Sequence, residues 1–189
     1  MNASVEAVPS SHRAHATPVS APDMVVREGI LDVSGEVSLY HGGRLCGIRI
    51  AWRLAGPANA PVVCALGGIS ANRRVFAIED PREGWWSEVA GPGRALAADR
   101  FRVLSFDYLG GSADTTGPTT NAVAPLSLVA ATGSAPGAAG APTAPTSFPN
   151  ISTYDQAELL VRLLNNLGLK SLRAIAGGSY GGMVALAFG

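Results

Sequence analysis

The stretch Leu172 to Gly189, LRAIAGGSYGGMVALAFG, restricts this chain more than any other. Leu172–Ala176 is a short apolar run, Gly177–Gly181 reads G-x-S-x-G, and Gly182–Phe188 is apolar and mostly helix-favouring. Strand, tight glycine turn and helix form the context in which G-x-S-x-G presents a nucleophile. The reason is steric. A serine at such a turn is held in a strained backbone conformation, and only glycines before and after it leave room for the neighbouring chain. The turn lifts the hydroxyl of Ser179 to the top of a sheet, where main-chain N–H groups at the start of the helix can hold a developing oxyanion. The competing reading is a plain glycine-rich turn with Ser179 as a helix N-cap.

The 189 residues suit one domain. Hydrophobic residues make up 47% and charged residues 15%, which allows a sizeable core. Net charge is zero with no basic block, which argues against electrostatic binding of nucleic acid or an anionic membrane. The two cysteines, Cys46 and Cys64, lie in apolar strand-like runs and read as buried thiols in a reducing compartment. No C-x-x-C or H-x-x-x-H spacing occurs, so no metal site is expected. No segment has the apolar length of a membrane span, and the N-terminus lacks an apolar signal region. The expected location is the cytoplasm.

Residues 1–24 are rich in Ala, Ser, Pro and His without periodicity and read as a disordered tail, with His12 and His15 solvated in it. The folded domain is expected over 25–189. Glu36–Tyr40 looks like a strand, His41–Arg44 a hairpin turn and Gly47–Leu54 a second strand, with Ile48, Ile50 and Trp52 on one face. His41 is expected to be exposed at the turn. Val62–Leu66 is a continuous apolar run that suits a strand buried on both faces, and it exits into Gly67–Gly68–Ile69–Ser70. Loops at the carboxyl ends of such strands bind ligands and supply the other half of an oxyanion hole.

Asn72–Gly84 reads as a charged loop or short helix, and Arg94–Asp99 as a helical turn. Trp85 and Trp86 either line a pocket or divide between the core and its rim. Arg102–Asp107 is a further buried strand with Asp107 at its carboxyl end, where a structural role is the preferred reading. Residues 121–147 contain Ala, Gly, Pro, Ser and Thr with no charge, and read as a disordered insert. Ser152–Gln156 starts a helix, with Thr153/Gln156 and Ser152/Asp155 as rival capping boxes. Ala157, Leu160, Val161, Leu164 and Leu167 form its apolar stripe, and Gly168 ends it. From Val62 onward, helical crossovers between buried strands imply a parallel sheet.

Taken in series, several blocks make this chain resemble the homoserine O-acyltransferase family of the α/β-hydrolase fold. They are Gly84–Trp85–Trp86, Gly91–Pro92–Gly93–Arg94, Asp99–Arg100–Phe101, Leu109–Gly110–Gly111–Ser112, Thr116–Gly117–Pro118, Phe148–Pro149–Asn150–Ile151 and Gly177 to Met183. The resemblance spans about residues 43–189. It implies an N-terminal portion of that fold, a mainly parallel sheet ending in the nucleophile elbow. It also implies ping-pong transfer, in which Ser179 takes an acyl group from acyl-CoA and passes it to the hydroxyl of homoserine, in methionine biosynthesis. By position Ser179 matches the nucleophile, and Leu66 and Tyr180 match the residues whose main-chain N–H groups form the oxyanion hole. Acyl-CoA enters as substrate and no cofactor is implied. Family members are often homodimers.

The chain departs from the family pattern at four places. Cys64–Ala65–Leu66–Gly67–Gly68 stands where H-A-L-T-G is common, and Tyr180 where Met is common. The charge-free insert replaces a short N-P-x-T-G-x-P-Y region. These leave succinyl-CoA and acetyl-CoA equally plausible as donor, and serine open as acceptor beside homoserine. In this fold the acid and histidine follow the serine, yet no histidine lies beyond His41. The 189 residues are therefore expected to be inactive and poorly soluble alone, as the N-terminal part of an enzyme. A serine esterase of the same fold is one alternative reading, and a non-catalytic truncated relic another.

Overall fold

The computed structural model describes residues 24–80, 82–111, 113–118, 128–129 and 148–189. In chain order the elements are β1 (Met24–Asp32), β2 (Glu36–Ser38), β3 (Arg44–Cys46), β4 (Arg49–Pro57), β5 (Val62–Leu66), β6 (Ala90–Gly91), β7 (Leu96–Ala97), β8 (Arg102–Phe106), β9 (Leu128–Val129), α1 (Thr153–Asn166), β10 (Ala174–Gly177) and α2 (Tyr180–Phe188).

The main sheet has the order β1-β4-β8-β5-β10. The strands from Val62 onward, β8, β5 and β10, are mutually parallel, as the sequence predicts. β1 and β4 make the sheet mixed. β4 pairs antiparallel with β1 on one side and with β8 on the other. The cause lies in the connection between β4 and β5. The turn at 58–61 is too short for a crossover, so β5 must run back against β4. β8 then inserts between them, and Arg102 is tied to that turn by its N–H to the Pro61 carbonyl (2.9 Å) and its Nε to the Ala60 carbonyl (2.8 Å).

All five residues of β5 are buried, as an uninterrupted VVCAL run requires. β4 begins two residues later than expected and is buried on both faces over seven of its nine residues, so the period-two reading of Ile48, Ile50 and Trp52 sees only half of it. β1 was not foreseen as a strand. It is an outer strand with Val25, Val26 and Ile30 exposed, and it begins at Met24. The rest of the 1–24 tail, with His12 and His15, lies outside the described residues.

A hairpin forms at β2, but its second strand is β3 and not the expected 47–54, whose residues enter β4 beside β1 and β8; β2 stops at Ser38 because the Leu39 N–H turns back to the Gly43 carbonyl (3.0 Å). Within the 121–147 insert, Leu128 and Val129 add a short antiparallel strand to β3; the remainder of the insert lies outside the described residues. Between β5 and β8 the described residues contain no helix. Residues 94–99, expected to be a helical turn, carry β7, which pairs in parallel with β6.

α1 is the crossover from β8 to β10. Of the rival capping boxes the Ser152/Asp155 pair forms, with Ser152 Oγ accepting from the Asp155 N–H (3.2 Å) and Asp155 Oδ2 accepting from the Ser152 N–H (2.7 Å). Gly168 closes the helix at φ 67°, donating to the Asn165 carbonyl while Leu169 donates to that of Leu164, the paired bonds of a Schellman motif. The buried stripe is Gln156, Ala157, Leu159, Leu160, Leu163 and Leu164. Val161, expected within it, is exposed because it lies about 100° around the helix from Leu160. The larger core cluster joins Leu159, Leu160 and Leu163 of α1 to Ile50, Leu66 and Leu104 of the sheet and Val184 of α2.

Candidate active site

Ser179 ends the turn after β10 and stands at φ 54°, ψ −121°, the one positive-φ residue other than glycine among those described. A conformation of this kind costs of order 1–3 kcal/mol and persists only where the surroundings impose it. The glycines on either side show how it is imposed. A β-carbon on Gly177 would overlap the main chain of Gly181, and one on Gly181 would overlap the carbonyls of Leu66 and Gly67. Gly178 faces open space, and a β-carbon on Gly182 would lie 3.3 Å from the nearest atom. G-x-S-x-G is thus a packing requirement at 177 and 181, and at neither of the other two.

Ser179 occupies the N-cap of α2 without making a side-chain capping bond. The N-cap position of the competing reading is thus met, but the exposed hydroxyl takes no part in holding the helix. Tyr180 is the first residue of α2, so its N–H has no acceptor within the helix.

The elbow is stitched to the end of β5. Gly177 pairs with Leu66 on the last rung of the ladder. The Gly178 N–H donates to the Leu66 carbonyl (3.0 Å), and the Gly181 N–H to the Gly67 carbonyl (2.9 Å). The structure thus brings the loop that follows Leu66 against the turn that carries Ser179 and Tyr180.

Two tyrosines and a glutamine back this junction. Tyr108, in the exit loop of β8 and 3% exposed, donates its hydroxyl to the Gly67 carbonyl (2.9 Å). Its ring meets that of Tyr180 edge-to-face at 5.0 Å. Burial holds the Tyr108 phenol well above its usual range, with Cys64 and Tyr180 adding to the shift. Tyr180 is also raised, by burial first, against the lowering effect of a hydrogen bond with Gln156. Gln156 clamps Leu109 at both main-chain atoms, accepting from its N–H (3.1 Å) and donating to its carbonyl (2.9 Å). Cys64 lies fully buried beneath, its thiol pushed up to about 12 by desolvation, which leaves it protonated and inert. Cys46 is free as well but only half-buried, in contrast to the buried thiol expected there.

The remaining candidates make no hydrogen bond to the Ser179 hydroxyl. Asp107 is 1% exposed and accepts from the Arg73 N–H (2.6 Å), Arg73 Nη1 (2.6 Å) and the Asp114 N–H (3.1 Å), which is a structural role. Trp85 and Trp86 stack at 5.3 Å, both half-buried against the second core cluster. Trp85 donates Nε1 to the Asn72 carbonyl (2.7 Å) and covers Gly67, where a β-carbon would come within 3.0 Å of its ring. It therefore braces the loop after β5. His41 is exposed on the 39–43 turn, edge-on to Tyr40 at 5.3 Å. Among the described residues no group of three or more His, Cys, Asp or Glu is arranged to hold a metal ion, and no helix is long and apolar enough to cross a membrane. An open groove of about 500 Å³ lies between the 58–61 turn, Arg102 and residues 168–173, at the amino ends of the parallel strands and thus opposite the elbow.

Sequence reasoning missed Tyr108 and Gln156. Tyr108 was one residue of an exit loop, and Gln156 one of two rival capping partners. A polar residue in the buried stripe of α1 was the available signal for Gln156.

Comparison with known proteins agrees with the fold. A family model described as alpha/beta hydrolase fold matches residues 61–189. Homoserine O-acetyltransferase of Methanococcoides burtonii is 36% identical over 160 residues, covering 82% of this chain and 30% of the relative. Homoserine O-succinyltransferase of an Azoarcus species is 35% identical over 157 residues, covering 79% of this chain and 38% of the relative. Among solved structures, homoserine O-acetyltransferase from Bacillus anthracis superimposes with TM-score 0.65 at 22% identity, over 87% of this chain and 42% of that one. Esterase E22 gives the same TM-score at 24% identity, over 86% of this chain and 43% of that one. Both structural likenesses speak to the fold alone. The chain spans less than half the length of these proteins.

Proposed function

The chain belongs to the alpha/beta hydrolase fold family, and on that premise we propose that it carries the nucleophile half of a homoserine O-acyltransferase site. Ser179 Oγ attacks the thioester carbonyl carbon of acyl-CoA. The C–S bond breaks, coenzyme A leaves as the thiol with the serine proton, and an acyl ester remains on Ser179. The homoserine hydroxyl then attacks that ester, its proton returns to Ser179, and O-acylhomoserine departs. The main-chain N–H groups of Leu66 and Tyr180 hold the oxyanion in both steps. The observation that carries this reading is the strained backbone of Ser179, pinned beside the end of β5 with its hydroxyl unused by the fold.

Acetyl-CoA and succinyl-CoA both suit this scheme, as the names of the relatives do. The reaction belongs to methionine biosynthesis in the cytoplasm, and a homodimer is the proposed assembly of the complete protein. No described residue hydrogen-bonds to the Ser179 hydroxyl to serve as its base, and His41 is exposed on the 39–43 turn. We therefore expect these 189 residues alone to be inactive in turnover. Without its base Ser179 is a weak nucleophile at neutral pH, so a single acylation is expected to be slow.

The test is a prolonged incubation with acetyl-CoA or succinyl-CoA, followed by mass measurement of the peptide bearing residue 179. Acylation is expected in the wild type and absent in Ser179→Ala; equal acylation in the two would remove Ser179 from the reaction. Adding homoserine then separates a transferase from an esterase. The transferase loses its acyl group to homoserine, whereas the esterase loses it at the same rate to water.

A further inference from the structure

We infer that Tyr108 is a positioning residue that sets the distance between the two halves of the oxyanion hole; this rests on the reading of Ser179 above. One carbonyl, that of Gly67, accepts from both the Tyr108 hydroxyl (2.9 Å) and the Gly181 N–H (2.9 Å). Gly67 follows Leu66, and Gly181 follows Tyr180, so each proposed donor is one residue from one end of the Gly181–Gly67 hydrogen bond. Tyr108 thereby holds the loop from one side while its ring holds the Tyr180 ring from the other, edge-to-face at 5.0 Å.

The arrangement has a second support. Gln156 clamps Leu109 at both main-chain atoms, and Leu109 is the residue after Tyr108. Tyr108 in turn holds Gly67, and Gly67 holds Gly181 beside Tyr180. The Ser179 hydroxyl makes no hydrogen bond to any of these groups, and Gly67 and Gly181 each adjoin a proposed donor. A phenol suits the task because it reaches across from β8 with a stiff aromatic body, and burial keeps its proton in place for donation.

Amide hydrogen exchange tests this without reliance on turnover. In Tyr108→Phe the Gly67 carbonyl loses one of its two donors and the loop loosens. Exchange at Gly181, whose N–H is shared with the Gly178 carbonyl (3.0 Å), is expected to quicken about tenfold. Leu159 and Leu163 in α1 are expected to keep their wild-type rates. Unchanged exchange at Gly181, or an equal rise in α1, overturns the inference. A measurement on the unmodified chain guards against a variant that does not fold. The Tyr108 hydroxyl proton should appear as a slowly exchanging resonance with through-space contact to the Gly181 amide proton, which points at the same oxygen, and its absence also overturns the inference. In the single-acylation assay, Tyr108→Phe is expected to lower the acylation rate about tenfold at unchanged half-saturation by acyl-CoA. A Ser179→Ala protein that still acylates sinks the nucleophile reading, whereas acylation that is Ser179-dependent but indifferent to Tyr108→Phe sinks only this one.

Discussion

The main chain of Gly181 lies against the carbonyl of Leu66 so closely that no β-carbon fits between them. The same would-be carbon comes within 2.6 Å of the Gly67 oxygen. Both obstacles are backbone, which cannot swing aside as a long side chain can. Gly181→Ala is therefore expected to cost about 3 kcal/mol, the upper end for overpacking. Gly178→Ala, where nothing lies within 4 Å, should stay within about 0.5 kcal/mol of wild type. Urea unfolding midpoints of the two variants make the comparison, and equal midpoints would contradict the close approach.

Ser179 offers a second handle on the elbow. Its φ of 54° is strained for any residue with a β-carbon and easy for glycine. Ser179→Gly should release that strain and raise stability by about 1 kcal/mol, net of the greater freedom glycine gives the unfolded chain. Ser179→Ala keeps the β-carbon and should release nothing. A glycine variant no more stable than the alanine variant in denaturant titration would mean that the turn is relaxed.

The contrast between these local rules and the sheet explains what could be read in advance. Gly177, Gly181 and Gly168 answer to clashes or φ values set by residues within a few positions or by one neighbouring strand. Their roles follow from composition and spacing. The α1 cap was legible to the same degree, down to two rival boxes. Choosing Ser152 over Thr153 depends on Asp155, whose other oxygen accepts the Tyr40 N–H from 115 residues away (2.7 Å). The insertion of β8 between β4 and β5 is likewise a long-range outcome, invisible to periodicity. So is Tyr108, whose hydroxyl finds its acceptor 41 residues away. β1 escaped notice because an outer strand with one exposed face carries charged residues, Arg27 and Glu28, in the middle of its apolar ones.

Asp107 illustrates how a carboxylate at a strand's end can be structural. It gathers the loops on either side of β8 by accepting from Arg73 twice and from the Asp114 N–H. Arg73 is itself only 13% exposed and keeps Glu28 at 2.7 Å and Asp114 at 2.8 Å as further partners. Asp107→Ala leaves a buried guanidinium short of one counter-charge and two main-chain donors unmet. The expected loss is about 3 kcal/mol, the lower end for breaking a buried pair, since two carboxylates remain. Thermal unfolding measures it. A variant as stable as wild type but unable to acylate would instead assign Asp107 to the chemistry.

Cys64 supplies a prediction in pH. Burial raises its thiol from 9.0 to about 12, so the folded chain keeps a proton that the unfolded chain gives up at lower pH. A group whose pKa is raised by folding contributes stability that is intact below its unfolded value and is lost as pH climbs through the folded one. Stability should therefore decline between about pH 9 and 12, and Cys64→Ala should lessen that slope. At pH 8 a thiol with a pKa near 12 is ionised in roughly one molecule in 10⁴. Ellman's reagent should accordingly find the half-buried Cys46 in the folded chain and find Cys64 only after denaturant is added. Two thiols reacting at similar rates in the folded chain would show that the ground beneath Gly67 is open to solvent.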